Sequence, residues 1–216
     1  MPNSKISALG RVAQRQQRNR EALVQAGYRV MSKKGIDAAT MQEIAELADV
    51  GAGTVYSYFK SKDELAISVL ERVMHNLAIR IENVTNSFTD PAQVYAFGLR
   101  NVMEAATGDI RWKQLLNRSE VIADAMFCCM GPFAIRDMEN ATQAGRFKVA
   151  DARLTWKMTT YAIVGVSLAV TKGILPPTVI DETVIRLLCM TGLDEREAIE
   201  LARRTCPALP AENSDH

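Results

Sequence analysis

The sequence has few of the residues that metal sites and catalytic centres need. Its two histidines, His75 and His216, stand alone, and its four cysteines contain no C-x-x-C pair and no histidine at metal-ligand spacing. A zinc site is therefore not expected. There is also no paired nucleophile and base and no glycine-rich phosphate loop. These absences argue against an enzyme, and no cofactor is predicted.

Long apolar segments are missing as well. The longest apolar run, Tyr161 to Val170, is far shorter than the roughly 20 residues that a membrane-spanning helix needs. No apolar stretch near the N-terminus marks a secretory signal. We therefore expect a protein of the reducing cytoplasm that does not contact a membrane.

The alternation of apolar and polar residues that marks strands is absent too, so the sequence predicts an all-α protein. Residues 1–10 and the last ten residues are interpreted as tails. Helices are predicted at about 11–34, 40–48, 52–59, 62–86, 91–108, 112–130, 132–144, 152–172, 178–190 and 194–204.

The net charge of +1 hides an uneven distribution. Residues 1–62 carry ten lysines and arginines against five acids, whereas the remainder carries 16 against 20. A basic N-terminal part joined to an acidic remainder is typical of a segment that meets a polyanion. On charge alone, a basic helix that is merely solvated explains the pattern equally well.

Two short predicted helices follow one another in the basic part. Thr40 and Glu43 have capping-box spacing at the start of the first helix. A turn around 49–51, containing Gly51, leads to the second helix at about 52–59. Two short helices joined by a tight glycine-containing turn are the helix-turn-helix arrangement of DNA-binding proteins.

The second short helix has a small, hydroxyl-bearing side. With Val55 at the buried centre, helical periodicity places Phe59 beside it and Ser57 on the opposite side. The predicted DNA-contacting residues are Gly53, Thr54 and Ser57 at base edges, Tyr56 and Tyr58 at phosphates, and Thr40, Lys60 and Lys62 as further phosphate anchors. The alternative is a generic helical hairpin whose tyrosines only pack.

Residues 35–65, GIDAATMQEIAELADVGAGTVYSYFKSKDEL, resemble the DNA-binding signature of the TetR family of transcriptional regulators. The matching positions are Ile44-Ala45, Ala48, Val50, Gly53-Thr54, Tyr56, Tyr58-Phe59, Ser61-Lys62 and Leu65. Two positions depart from the pattern. Asp49 replaces a small residue, and Gly51 replaces a serine that normally caps the recognition helix.

This resemblance implies a homodimer that places two recognition helices in successive major grooves of palindromic double-stranded DNA. It also implies a small-molecule effector, bound in the C-terminal domain, that moves the long fourth helix and releases the DNA. We therefore divide the chain into a helix-turn-helix DNA-binding domain with a basic arm at 1–62 and a larger helical effector-binding and dimerisation domain at 63–216. The expected function is a repressor. The alternatives are an activator or architectural DNA binder with the same module, and a helical interaction protein without a DNA role.

The resemblance further implies dimerisation through two C-terminal helices, for which 152–172 and 178–191 are the candidates. The first presents at helical spacing Leu154, Met158, Tyr161, Ala162, Gly165, Leu168 and Ala169. The alternative is ordinary core packing within one chain.

A soft apolar pocket for an apolar effector is the least specific prediction. Its predicted wall is Met103, Trp112, Met126, Phe127, Met130, Phe133 and Tyr161. Methionines suit an adaptable pocket because their side chains are flexible and polarizable. For any one of these residues, a place in the ordinary core is the alternative.

Overall fold

The computed structural model describes residues 3–115 and 119–210. Within these ranges all regular structure is helical, which confirms the predicted all-α class. The helices are α1 (Asn3–Ala38), α2 (Met41–Leu47), α3 (Ala52–Tyr58), α4 (Lys62–Thr85), α5 (Pro91–Gly108), α6 (Ile110–Leu115), α7 (Ser119–Gln143), α8 (Ala152–Thr171), α9 (Val179–Cys189) and α10 (Glu195–Arg203).

The chain forms two compact units that divide between Leu70 and Glu71. Helices α1 to α3 and the first nine residues of α4 lie in the first unit, and the rest of α4 and all later helices lie in the second. The division predicted after residue 62 follows the start of α4, whereas the compact units divide further along the same helix.

Helix α1 is longer than predicted, because residues 3–10, interpreted as a tail, continue the helix towards the N-terminus. Its regular part ends where expected. Gly35 has φ 80° and ψ 169°, a conformation that glycine adopts without the steric cost of a Cβ atom. One further turn, Ile36 to Ala38, follows the glycine.

The core of the first unit joins all four of its helices. Its fully buried large side chains are Leu23 and Met31 from α1, Ile44 from α2, Val55 from α3, Phe59 just after α3, and Leu65 and Leu70 from α4. Fully burying each aliphatic side chain contributes roughly 1.5–3 kcal/mol, so this cluster fixes how α2 and α3 sit on α1 and α4.

In the second unit, α7 is a single helix, although the sequence predicted a break at Pro132. Proline removes one helical N–H and disfavours a continuous helix. The carbonyl that loses this donor belongs to Cys128, which is exposed, so water can bind it. Gly131, next to the proline, is buried, and a Cβ there would stand 3.3 Å from Nε1 of Trp156 on α8. Close packing of α7 on α8 therefore holds the helix together across the proline.

Helix α8 has one buried and one exposed side. Trp156, Ile163, Val164 and Ser167 are buried. No helix in the described ranges is long and apolar enough to cross a lipid bilayer.

Candidate nucleic-acid interface

The predicted capping box at the start of α2 is confirmed. The backbone N–H of Glu43 donates to Oγ1 of Thr40 at 3.2 Å, and the N–H of Thr40 donates to Oε2 of Glu43 at 3.1 Å. Lys34 donates to the same carboxylate at 2.5 Å and, with the Thr40 hydroxyl, lowers the pKa of Glu43. The Lys34–Glu43 bond connects the end of α1 to the start of α2, whereas the Thr40–Glu43 bonds cap α2 itself.

A four-residue connection, 48–51, joins α2 to α3, as the helix-turn-helix prediction requires. The N–H of Val50 donates to the carbonyl of Ala45 at 3.1 Å and tightens the turn. Asp49 has φ 54°, the left-handed conformation that costs a residue with a side chain free energy. The small residue that the family pattern has at this position suits the left-handed backbone conformation that Asp49 adopts here.

Helix α3 turns its hydroxyl-bearing side outward. Val55 is fully buried and Phe59 nearly so, whereas Tyr56 is 57% exposed and Ser57 is exposed. Thr54 is half-buried, and its carbonyl accepts the Ser57 hydroxyl at 2.6 Å. The predicted orientation of α3 is therefore confirmed, while the contacts of its exposed residues with DNA stay a prediction.

Gly53 lies on the exposed side of α3, and a Cβ built there would meet nothing within 4 Å. Packing inside the protein therefore does not require glycine at this position. A requirement for glycine would come from a surface that approaches α3 from outside, where the missing side chain lets the backbone come close.

The segment between α3 and α4 contains a modified capping box. The N–H of Glu64 donates to Oγ of Ser61 at 3.1 Å. The Glu64 carboxylate accepts instead from the N–H of Lys60, at 2.7 Å. The side chain of Lys60 is exposed beside α3.

Two basic side chains of the first unit have partners that the sequence did not indicate. Nζ of Lys62 donates to the carbonyls of Asp37 at 2.8 Å and Ala39 at 3.1 Å, across the end of α1. Arg20 lies over the Phe59 ring, 5.1 Å from its centroid, and donates to Oγ of Ser68 at 3.0 Å. These contacts join residues more than 20 positions apart, so no local spacing in the sequence predicts them.

We expect Lys62→Ala to lower the free energy of unfolding by about 1–2 kcal/mol, because two carbonyls lose an ionic donor at a half-buried position. An ammonium has three N–H donors, so Lys62 can still reach a phosphate. We therefore also expect the salt dependence of DNA binding to fall by about one unit of slope.

Thermal denaturation and binding at several salt concentrations measure these two effects of Lys62→Ala. Lys60→Ala is the matched control, because Lys60 is exposed and should change the slope alone. Equal stability of the Lys62→Ala variant and the parent protein contradicts the structural role of Lys62.

A second prediction concerns Asp49. Asp49→Gly relieves the left-handed conformation and should raise the free energy of unfolding by about 0.5–1 kcal/mol. It also removes a negative charge next to α3, so we expect tighter DNA binding at low salt. Asp49→Asn separates the two effects, since it removes the charge and keeps a side chain. A melting temperature that does not rise in Asp49→Gly contradicts the argument from backbone strain.

The seven predicted effector-pocket residues do not share one cavity. Met103, Trp112 and Met126 are fully buried. Phe127 and Tyr161 lie towards the surface, with the Lys157 ammonium 5.0 Å and 5.2 Å from their ring centroids. Met130 and Phe133 do line a cavity in the second unit, together with residues that the sequence did not indicate.

The predicted dimer-forming side of α8 is exposed at several apolar positions. Leu154 is 58%, Met158 52% and Tyr161 44% exposed, and Gly165 is exposed one turn further on. The other three predicted residues, Ala162, Leu168 and Ala169, are half-buried. Large apolar side chains aligned on one exposed helix face are typical of an association surface.

Two family descriptions match the chain, one for each unit. Residues 23–69 match the bacterial regulatory proteins of the tetR family, and residues 90–204 match the tetracyclin repressor-like C-terminal domain. The second match covers slightly more than half of the chain.

Curated relatives match only part of the chain. The chain is 33% identical over 119 residues to the HTH-type transcriptional repressor KstR of Mycolicibacterium smegmatis, covering 55% of this chain and 57% of that protein. It is 32% identical over 81 residues to the repressor NicS of Pseudomonas putida, covering 38% of each. The chain thus spans about half the length, or less, of these relatives.

A solved structure matches both units. RolR in complex with resorcinol superposes with a TM-score of 0.82 at 26% identity, covering 92% of this chain and all of that one. FadR of Bacillus subtilis in complex with stearoyl-CoA has a TM-score of 0.56 at 19% identity, covering 81% of this chain and 99% of that one. The FadR likeness shows the fold alone.

Proposed function

Because the chain belongs to the TetR family of bacterial transcriptional regulators, we propose that it represses transcription by binding a palindromic operator as a homodimer and releases the DNA when a small molecule binds its second unit. One observation carries the DNA-binding part of this proposal. Helix α3 buries Val55 and Phe59 and presents an exposed, small, hydroxyl-bearing side in a basic unit.

That side of α3 has the chemistry of a major-groove reader. Hydroxyls such as those of Thr54 and Ser57 bond base edges, and a threonine methyl contacts the thymine methyl. The exposed Tyr56 and half-buried Tyr58 flank this side and can donate to phosphate oxygens. Thr40 and Lys60 add polar groups near the starts of α2 and α4. We assign base contacts to α3 and phosphate contacts to the surrounding residues.

Dimerisation follows from the exposed side of α8, in which Leu154, Met158 and Tyr161 lie at intervals of four and three residues. We propose that this side pairs with its counterpart in a second copy, together with α9, to form a four-helix bundle. The exposed Gly165 allows two helices to approach closely. A symmetric pair of α3 helices then matches a palindrome, because the two-fold axis of the protein coincides with that of the DNA.

Release by a small molecule is supported by the relatives and by the course of α4. RolR, which superposes over nearly all of this chain, was solved with resorcinol, and KstR is named as a repressor. Helix α4 supplies residues to both compact units without interruption. A ligand that contacts the later part of α4 can therefore bias the first unit, provided that it prefers one position of the helix.

The decisive experiment is a gel shift with the full chain and the DNA upstream of its own coding sequence. We expect specific binding, weakening steeply between about 50 and 200 mM salt as phosphate contacts are lost. Thr54→Ala should change the preferred base rather than overall affinity. Failure to bind any duplex at low salt contradicts the proposal. A reporter whose output falls when the protein is deleted contradicts repression and indicates activation.

A further inference from the structure

The second unit contains a small cavity between four helices. It is lined by Ala78 and Ile81 of α4, Tyr95, Gly98, Leu99 and Val102 of α5, Met130, Phe133, Ala134 and Asp137 of α7, and Trp156 of α8. Its volume is about 40 Å³, and most of its wall is aliphatic or aromatic. Three of the lining residues carry polar groups, and these set what the cavity can recognise.

Two of these polar groups are buried without a hydrogen-bond partner among the residues that the structure describes. Trp156 is 2% exposed, and its Nε1–H has no acceptor. Tyr95 is 3% exposed, burial raises the pKa of its phenol, and its hydroxyl has no partner at hydrogen-bond geometry. Its polar neighbour Thr159 donates its own proton to the carbonyl of Thr155 at 2.9 Å. A buried polar group without a partner costs about 1–3 kcal/mol, so a ligand that satisfies one gains that amount.

The third polar group is the carboxyl of Asp137. Arg136 donates to it from Nε at 3.2 Å and from a terminal nitrogen at 3.0 Å, and both bonds end on Oδ1. Oδ2 is left to accept a proton from another donor. Burial raises the pKa of this carboxyl, and Arg136 opposes that shift. The residues that line the cavity thus carry one N–H donor, one hydroxyl and one carboxylate among mostly apolar neighbours.

We propose that this cavity is the effector site and that it takes a single aromatic ring bearing one or two hydroxyl groups, a simple phenol. The inference rests on the proposed function, because it names the effector that this function requires. The ring lies against Leu99, Val102 and Phe133. A ligand hydroxyl accepts from Nε1 of Trp156, and a hydroxyl proton is donated to Oδ2 of Asp137 or to the Tyr95 oxygen. A fully apolar molecule leaves the Trp156 N–H and the Tyr95 hydroxyl unsatisfied.

The size of the cavity gives the ligand a means of regulation. An apolar cavity that holds benzene has a volume of about 150 Å³, several times larger than this one. A phenol therefore fits only when the walls separate, and Ala78 and Ile81 in that wall belong to α4. If that separation displaces α4, the ligand binds the displaced form more strongly, which is the differential affinity that a population shift requires.

Calorimetric titration of the full chain with resorcinol, phenol and toluene tests the assignment. We expect resorcinol and phenol to bind more tightly than toluene. Tyr95→Phe and Trp156→Phe should each weaken resorcinol binding by about five- to tenfold and leave toluene binding unchanged. The matched control is Trp112→Phe, since Trp112 is fully buried and also has an unpartnered Nε1, but does not line the cavity.

A gel shift of the ligand-free protein, run in parallel, separates this inference from the proposed function. DNA binding without any binding of phenol or resorcinol overturns the effector assignment and leaves the regulator in place. Equal binding of toluene and resorcinol, or an equal loss in Trp112→Phe, also overturns it. Selective resorcinol binding that depends on Tyr95 and Trp156 supports the site, even if the protein does not bind the DNA tested.

Discussion

Gly53→Glu is expected to weaken specific DNA binding by at least about a hundredfold while the protein remains folded. A Cβ at Gly53 meets nothing within 4 Å, so the new side chain projects outward from α3 without displacing a neighbour. Glutamate is a better helix former than glycine, and its charge is favourable in the first turn of a helix. Stability should therefore be unchanged or rise by about 0.5–1 kcal/mol. The same carboxylate placed against base edges and phosphates costs several kcal/mol of binding free energy.

Gly53→Glu is expected to keep or raise the stability of the protein while it weakens DNA binding, and this combination makes the prediction specific. The measurements are thermal denaturation and a gel shift with the upstream DNA. Gly108→Glu is the matched control, because that glycine is also exposed and free of neighbours within 4 Å, but it ends α5 in the second unit. It adds the same charge and should leave DNA binding intact. If the Gly53→Glu protein binds the operator with normal affinity, α3 is not part of the DNA interface.

Met158→Glu is expected to convert the proposed dimer into a monomer at micromolar concentration. Met158 is 52% exposed between Leu154 and Tyr161 on α8, and a two-fold interface brings each of these residues close to its copy. A glutamate there buries two like charges in one apolar contact, which costs several kcal/mol and raises the dimer dissociation constant by about a hundredfold or more. Each monomer then binds one half-site, so operator affinity falls as well.

Sedimentation equilibrium and operator titration measure the two consequences of Met158→Glu. Ile79→Glu provides a matched control, because Ile79 is another large apolar side chain, 38% exposed, on α4 rather than α8. It should remain dimeric. A Met158→Glu protein that sediments like the parent excludes this side of α8 from the dimer interface.

The features that were predictable from the sequence are those set by neighbours along the chain. Helical periodicity alone predicts that Val55 and Phe59 are buried and that Ser57 is exposed, as the structure shows. The Thr40 capping box joins residues three positions apart, and Gly35 marks the end of regular α1 through its own backbone preference. In each case, the residues that determine the structure lie within one or two turns of each other.

The features that escaped prediction depend on contacts between distant segments. Two helices separated just before Pro132 were predicted, yet α7 continues through the proline where it packs on α8. Lys62 binds carbonyls at the end of α1, about 25 residues away. The candidate effector cavity is built from Tyr95, Asp137 and Trp156, which lie on three helices. Only the folded chain shows that these three residues line one cavity.

Continuity of α4 turns a small change at one end of the helix into a larger one at the other. From Ile81 in the cavity wall to Lys62 at its start, the helix extends for about 28 Å at 1.5 Å per residue. A tilt of about 5° that pivots at Ile81 therefore displaces Lys62 by roughly 2.5 Å. This is about three-quarters of the ~3.4 Å between successive base pairs along one strand. In a symmetric dimer both copies of α4 move together, so the distance between the two α3 helices changes by up to twice that amount. On the proposed function, a molecule as small as one ring would need to tilt α4 by only about 5° to shift the two α3 helices against their half-sites.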